Sequence, residues 1–410
     1  MSDTNGTEGL QRRWLGAMMN NYGLPKIALA SGSGAVVVDA DGKQYLDLLG
    51  GIAVNILGHG HPAVVEAVTN QLTTLGHTSN FYATEPGIAL SEGLLRQLGH
   101  HGASEATGDK RGKVLLCNSG TEANEAAFKI ARLTGRTKIV ACEEAFHGRT
   151  MGSLALTGQP AKRAPFEPMP PGVEHVPFGD VDALERAIDD DTAALFLEPI
   201  LGESGVVVPP EGYLAAAREI TARHGALLVL DEVQTGIGRT GWFYAHQAAG
   251  IVPDVMTLAK GLGGGLPIGA VVATGATADL LQPGMHGTTF GGNPVCAAAA
   301  LAVLKTVADE DLVSRADSVG KELAAGIEAL NHPLVDHVRG AGLLLGIVLT
   351  ADASAAVDAE AREAGFLVNP AKPNVIRLAP PLILTVEQAQ SFVDALPEIL
   401  DAAQRKVENV

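Results

Sequence analysis

Between about residue 70 and residue 310, the sequence alternates short apolar runs with helical patterns. The apolar runs lie at 114–117, 138–142, 194–198, 226–231 and 255–259. Strand–helix–strand connections of this kind almost always give parallel strands. We therefore predict an α/β fold, in which a large and mostly parallel sheet is flanked by helices.

The remaining sequence predicts a second, smaller domain, because 410 residues are too many for one ordinary core. Near the start, the runs 35–39 and 44–48 flank Asp41-Gly42 and predict a hairpin. The segment 99–112 reads as an exposed loop. The predicted units are an N-terminal segment that joins the small domain (1–70), a large domain (71–315) and a C-terminal small α+β domain (316–410).

Composition narrows the class of protein. A formal net charge of -17 argues against binding to nucleic acid or to an anionic membrane. No apolar run is long enough to cross a bilayer and Met1–Arg12 lacks a signal-peptide core, so we expect a cytoplasmic protein. We expect no metal site, since His59 and His61 have no carboxylate or cysteine at ligand spacing. Three isolated cysteines are read as reduced thiols: Cys117, Cys142 and Cys296.

Lys260 stands at the end of the last apolar run, before the glycine-rich bend 261–265. A partly desolvated lysine loses its proton more readily than a surface lysine and can form a Schiff base with a carbonyl compound. The alternative is a lysine at a strand end that simply reaches solvent. Other residues must decide between the two interpretations.

At two further strand ends, the residues are suited to bind a charged group. One end would bind an anion and the other a cation. Ser119 and Glu122 have capping-box spacing, so Gly120 and Thr121 would offer backbone N–H groups to a phosphate, although a plain helix cap would look the same. Asp231 ends a wholly apolar strand, where a carboxylate needs a positive partner. That partner would be an arginine or a protonated ring nitrogen.

A third strand is followed by Phe146 and Arg149. The phenyl ring could cover a planar ligand, and the guanidinium could bind a carboxylate. Ordinary core packing and a surface ion pair are the alternatives. Taken together, a Schiff-base lysine, a phosphate site, a carboxylate for a ring nitrogen and an aromatic cover match pyridoxal 5'-phosphate.

With these residues in place, the sequence resembles a known family, the class III or ω-amino acid aminotransferases of pyridoxal-phosphate fold type I. The resemblance covers roughly residues 15–405, with a loop at 99–112 that is longer than usual for the family. Its motifs are SGTEA (119–123), FHGR (146–149), EP (198–199), DEVQ (231–234), KG (260–261) and TTFGGNP (288–294).

The resemblance implies that Lys260 forms the Schiff base and that Asp231 pairs with the ring nitrogen, and these are the expected catalytic residues. It also implies a homodimer with two shared sites, in which a threonine of one subunit reaches the phosphate bound by the other. The remaining expected cofactor contacts are Gly120 and Thr121 to the phosphate, Val233 and Phe146 on the two ring faces, Gln234 at the phenolic oxygen, and Thr289 across the dimer.

The implied reaction moves the terminal amino group of N2-acetyl-L-ornithine to 2-oxoglutarate. It gives N-acetyl-L-glutamate 5-semialdehyde and L-glutamate, a step of arginine biosynthesis. By resemblance, Arg149 and Thr288 hold the α-carboxylate of acetylornithine, and Arg377 holds that of glutamate. Glu203 would neutralise Arg377 while the terminal-amine substrate is bound.

Other activities stay open at this stage. Ornithine, succinylornithine, succinyl-diaminopimelate and 4-aminobutyrate aminotransferases share most of these residues. The fold type also includes aminomutases and decarboxylases. A dinucleotide-binding protein that uses 261–265 as its phosphate loop is disfavoured by the glycine spacing and by Pro267.

Overall fold

The computed structural model describes residues 5–99 and 112–408, so most of the predicted loop at 99–112 lies outside the described residues. Within them, no helix has the length and the apolar character needed to cross a membrane. The α-helices are Thr7–Ala17, Gly50–Ala53, Pro62–Thr74, Glu85–Gly99, Gly120–Arg132, Met151–Leu156, Pro160–Arg163, Val181–Ala187, Tyr213–His224, Pro294–Asp309, Leu312–Ala329, Ser354–Glu363 and Val386–Glu408. Short 3-10 helices are Ala164–Phe166, Ala245–Ala249, Lys260–Gly263 and Gly275–Asp279.

The first sheet along the chain is small. Its strands are β1 (Leu29–Ser33), β2 (Val36–Asp39) and β3 (Gln44–Asp47). They pair antiparallel in sequence order, and the predicted hairpin between β2 and β3 is present. A short strand from the far end of the chain, Phe366–Leu367, pairs in parallel with β3. The two ends of the chain therefore meet in one sheet.

The large sheet has seven strands and carries the site. They are β4 (Gly112–Cys117), β5 (Lys138–Cys142), β6 (Val173–Val176), β7 (Thr192–Leu197), β8 (Leu227–Asp231), β9 (Val255–Leu258) and β10 (Gly269–Thr274). Their spatial order is β4-β10-β9-β8-β7-β5-β6, and only β10 runs against its neighbours. The mostly parallel sheet is confirmed, while β6 and β10 had not been predicted.

The central strands are fully buried because helices cover both faces of the sheet. Every residue of β7 and β9 is buried, as expected for apolar strands of a parallel sheet. Since β4 and β9 both run against β10, their carboxyl ends lie on the same edge as those of β5, β7 and β8. Open parallel sheets bind their ligands at this edge.

The C-terminal part forms the predicted smaller α+β region. Its sheet has the order β11-β12-β15-β14, made of β11 (Val335–Ala341), β12 (Leu344–Leu349), β14 (Asn369–Lys372) and β15 (Val375–Leu378). The segment Phe366–Leu367 is β13 and joins the N-terminal sheet instead. The α/β class is thus confirmed, and the limits of the individual domains stay a prediction.

Candidate active site

A cavity of about 430 Å³ opens at the carboxyl edge of the large sheet. Most of the site residues predicted from the sequence line it, although they come from five separate segments of the chain. Those lining the cavity are Gly120, Thr121, Phe146, Arg149, Glu203, Asp231, Val233, Gln234 and Lys260. Arg377 lies next to it through a hydrogen bond to Gln234, while Thr288 and Thr289 do not line it.

Lys260 sits two residues beyond the end of β9 and begins a short 3-10 helix. Its φ of 45° lies in the left-handed region, which is costly for a residue with a side chain and is often found at functional sites. Burial lowers the pKa of its amine, and the charge of Arg377 adds to this, while Glu203 and Asp231 partly oppose it. The surroundings therefore favour the neutral, nucleophilic amine more than water does.

Asp231 ends β8 and is held by three donors. Asn124 Nδ2 donates to its Oδ2 at 2.7 Å, and His147 Nδ1 lies 2.8 Å from the same oxygen. The backbone N–H of Val233 donates to Oδ1 at 3.0 Å. Since all three partners are fixed by buried structure, the carboxylate has one orientation toward the cavity.

The protonation of His147 follows from this contact. Burial lowers its pKa, but the hydrogen bond and the negative charge of Asp231 outweigh burial, so the net pKa is raised. Its other ring nitrogen, Nε2, is buried and has no hydrogen-bond partner among the described residues. The contact with Asp231 therefore favours the protonated form of His147.

The helix Gly120–Arg132 begins at the cavity wall. The Ser119 hydroxyl caps it by accepting from the Glu122 N–H at 3.3 Å, as the capping-box spacing predicts. Glu122 in turn accepts from the Asn118 N–H at 2.6 Å, one residue before the cap. The first turn thus keeps a well-ordered end with N–H groups directed out of the helix, where the dipole attracts an anion.

Two close backbone approaches fit this wall to a phosphate and a planar ring. A Cβ atom at position 120 would lie 2.7 Å from Val233 Cγ1, so only glycine lets the helix end approach Val233. Gly148 has φ 138°, and a Cβ there would come within 2.3 Å of Thr121 Oγ1. Together with the carboxylate of Asp231 and the amine of Lys260, these residues fit pyridoxal 5'-phosphate.

The opposite wall contains a buried arginine paired with a carboxylate. Arg377 is only 2% exposed, and its Nη1 donates to Glu203 Oε1 at 2.6 Å and to Gln234 Oε1 at 3.0 Å. Nη2 donates to Asn369 Oδ1 at 2.9 Å. Burial would raise the pKa of Glu203, but the charges of Arg377 and Lys260 and the hydrogen bonds lower it to about 2. Glu203 is therefore ionised and neutralises Arg377.

The second arginine of the cavity is exposed. Arg149 Cζ lies 5.5 Å from the centre of the Phe146 ring. Thr288 is farther away, where its hydroxyl accepts from Asn118 Nδ2 at 3.1 Å and from the Gly291 N–H at 3.2 Å. Thr289 is exposed on the same segment. Within one chain, these two threonines therefore lie outside the cavity.

Sequence reasoning gave no role to Asn124, His147 or Glu198, although each stands in a stretch that it singled out. Glu198 lines the cavity and accepts from the N–H groups of Phe146 at 2.8 Å and Gly202 at 3.2 Å. Burial raises its pKa, with the charge of His147 opposing. The available signal was a polar residue directly after, or facing, a wholly apolar strand.

Comparison with known proteins is consistent with this geometry. The aminotransferase class-III family profile matches residues 17–400. The acetylornithine aminotransferase of Mycolicibacterium smegmatis is 71% identical over 394 residues, covering 96% of this chain and 98% of that protein.

Two solved structures share the fold over nearly their whole length. An acetylornithine aminotransferase from Elizabethkingia anophelis has a TM-score of 0.85 at 36% identity, covering 97% of this chain and 99% of the other. An ornithine aminotransferase from Toxoplasma gondii, with pyridoxal phosphate at partial occupancy, has a TM-score of 0.91 at 32% identity, covering 98% and 96%. The predicted family and fold are confirmed: the chain belongs to the class-III aminotransferases.

Proposed function

We propose that this enzyme uses pyridoxal 5'-phosphate to transfer the terminal amino group of N2-acetyl-L-ornithine to 2-oxoglutarate. The observation that carries the proposal is the unequal state of the two arginines at one cavity. Arg377 is neutralised by Glu203, whereas Arg149 is exposed and forms no ion pair with a described residue. A donor whose amine is far from its carboxylate needs this arrangement, and the similarity to acetylornithine aminotransferases supports the choice of donor.

The residues that would hold the cofactor line one side of the cavity. Gly120 and Thr121 would bind the phosphate, Asp231 the ring nitrogen, and Lys260 the aldehyde carbon. The two ring faces would contact Val233 and Phe146, and the phenolic oxygen would contact Gln234. When bound, pyridoxal phosphate supplies an aldehyde that accepts the amino group and a ring that accepts electrons.

Lys260 is the base in this proposal. Its pKa is lowered, mainly by burial, which favours the neutral amine that a base requires. With the cofactor bound, Lys260 Nζ would take the proton from the substrate carbon that bears the amine and would carry it to the cofactor. Asp231, held by Asn124 and His147, keeps a proton on the ring nitrogen throughout.

The second half-reaction needs the α-carboxylate of glutamate or 2-oxoglutarate near Lys260. Arg377 is the cation at that end, and Glu203 must give up its ion pair to the incoming carboxylate. Arg149 then holds the distal carboxylate. One site can thus accept a terminal amine and an α-amine in turn.

We also infer a homodimer. Phe81 is 92% exposed and Phe290 60% exposed, an unfavourable arrangement for aromatic side chains unless another surface covers them. The two segments are joined by Asn80 Nδ2, which donates to the Gly291 carbonyl at 3.0 Å. A second copy on this face would bring Thr289 toward the partner's phosphate site. Light scattering on the purified protein measures the mass, and a monomer at micromolar concentration would contradict the inference.

The donor is tested by visible absorption of the cofactor-loaded enzyme, without any oxo acid. N2-acetyl-L-ornithine, L-ornithine, 4-aminobutyrate and N-succinyl-L,L-diaminopimelate are added separately. We expect the cofactor band to disappear fastest with acetylornithine. Faster loss with another amine would replace the donor, and no reaction with any amine would remove the proposal.

A further inference from the structure

A second cation shares the aromatic face that carries Arg149. Lys162 Nζ lies 5.0 Å from the centre of the Phe146 ring, and Arg149 Cζ lies 5.5 Å from the same centre. The two charges are therefore separated by no more than the sum of these distances. Phe146 itself lines the cavity. Two positive groups consequently lie beside a ring that lines the cavity, and Arg149 lines the cavity as well.

Nearby carboxylates do not neutralise this pair. Glu203 is engaged by Arg377, and Glu144 forms an ion pair with Lys372. In the described ranges 5–99 and 112–408, no carboxylate lies within ion-pair distance of Lys162 or Arg149. Burial lowers the pKa of Lys162, and the charges of Arg149 and Lys372 lower it further, while Glu203 and Glu144 partly oppose them. Such a pair favours an anionic ligand between or beside its members.

Lys162 is positioned rather than free. Its ammonium donates to Gln159 Oε1, and Gln159 Nε2 donates to the Glu144 carbonyl at 3.0 Å. The next residue, Arg163, donates to His175 Nδ1 at 2.8 Å, which ties the short helix Pro160–Arg163 to β6. The half-buried lysine therefore has a fixed place beside Phe146.

We propose that Lys162 is a specificity-determining residue, which together with Arg149 selects donors whose α-amine is acylated over donors with a free α-ammonium. The inference rests on the proposed function, because it assumes that Arg149 binds the distal carboxylate. In free ornithine, the same carbon carries that carboxylate and an ammonium. Lys162 repels this ammonium, whereas N-acylation removes its charge and leaves the carboxylate to both cations.

Two donors isolate the repulsion. L-ornithine and 5-aminopentanoate differ only in the α-ammonium, so their ratio of kcat/KM reports how strongly the site rejects that charge. The ratio is measured for the cofactor-loaded wild type, Lys162→Met, Lys162→Arg and a control, Lys305→Met. Lys305 is an exposed lysine on the helix Pro294–Asp309 and does not line the cavity.

We expect Lys162→Met to raise the ornithine to 5-aminopentanoate ratio by about three- to tenfold, as loss of one screened like-charge contact predicts. Lys162→Arg and Lys305→Met should keep the wild-type ratio. Binding of glutarate, an unreactive dicarboxylate, is measured by calorimetry on the same proteins and should weaken by a similar factor only in Lys162→Met.

An unchanged ratio in Lys162→Met, or the same change in Lys305→Met, would overturn the inference. Failure of the proposed function looks different, because the wild type would then not react with acetylornithine, even where it reacts with 5-aminopentanoate. A wild type that reacts with both, beside a Lys162→Met variant with the wild-type ratio, rejects the role of Lys162 alone.

Discussion

The two walls of the candidate active site differ in how their charges are held. On the wall suited to the cofactor, Asp231 accepts three hydrogen bonds from buried or backbone donors. On the substrate wall, Arg149 and Lys162 form no ion pair with a described residue, whereas Arg377 is paired with Glu203, which we propose that a ligand carboxylate replaces. A ligand that stays bound is matched by fixed partners, while ligands that alternate require charges with exchangeable partners.

The largest effect is expected for substitution of Lys260. Lys260→Ala removes the only group that we assign to proton transfer, so the rate should fall by roughly 10³-fold or more. Initial rates with acetylornithine and 2-oxoglutarate measure this. Lys305→Ala serves as the surface control, and near-normal turnover of Lys260→Ala would refute the assignment.

Removing the carboxylate from the wall suited to the cofactor should lower stability as well as activity. Asp231→Ala leaves His147 without its buried partner, and we expect the free energy of unfolding to fall by roughly 3 kcal/mol. Urea denaturation of the cofactor-free protein measures the change. Asp231→Asn keeps the shape and should lose less stability. Equal stability of Asp231→Ala and wild type would show that the pair is not a structural anchor.

Removing the carboxylate from the substrate wall should instead change the selectivity between amino donors. Glu203→Ala leaves Arg377 without its carboxylate, so the preference should shift from acetylornithine toward glutamate by about tenfold. The ratio of kcat/KM for the two amino donors is the measurement. Glu203→Gln should shift it in the same direction. A ratio that stays within twofold of wild type would exclude Glu203 from the exchange.

The smallest effect concerns the segment that positions Lys162. Burial, aided by the charge of Arg163, lowers the pKa of His175 to about 4, so the folded protein keeps this ring neutral. The unfolded chain binds a proton at its ordinary pKa of about 6.5. The contribution of the neutral ring to the free energy of unfolding should therefore be fully present above that pH and should decline as the pH falls toward 4.

His175→Gln should flatten this decline. The midpoint of urea denaturation is followed between pH 7 and pH 4.5 for both proteins. The variant should lose less stability than wild type over that interval, and parallel curves would rule out His175 as a source of acid sensitivity.

Much of the sheet could be predicted, because a buried parallel strand needs an apolar run. The five predicted runs correspond to β4, β5, β7, β8 and β9. β10 was missed, since it follows the glycine-rich bend and its reversed direction depends on strands β4 and β9 on either side. β6 was missed because Val173–Val176 contains a glutamate and a histidine and is only partly buried.

Several residues of the site could be predicted from the sequence, but the contacts among its residues could be predicted less well. Lys260 and Asp231 were evident as polar residues at the ends of apolar strands. The support of Asp231 by Asn124 and His147 was not, because these residues are separated from it by 107 and 84 positions and meet only through the sheet. The position of Lys162 over Phe146 likewise depends on how the Pro160–Arg163 helix folds back.

The ion pair of Glu203 and Arg377 also determines what can open the site. With its pKa lowered to about 2, Glu203 keeps its charge at neutral pH. Acidity therefore cannot release Arg377, and only another carboxylate can. The buried guanidinium would therefore keep a counter-ion in both half-reactions of the proposed reaction.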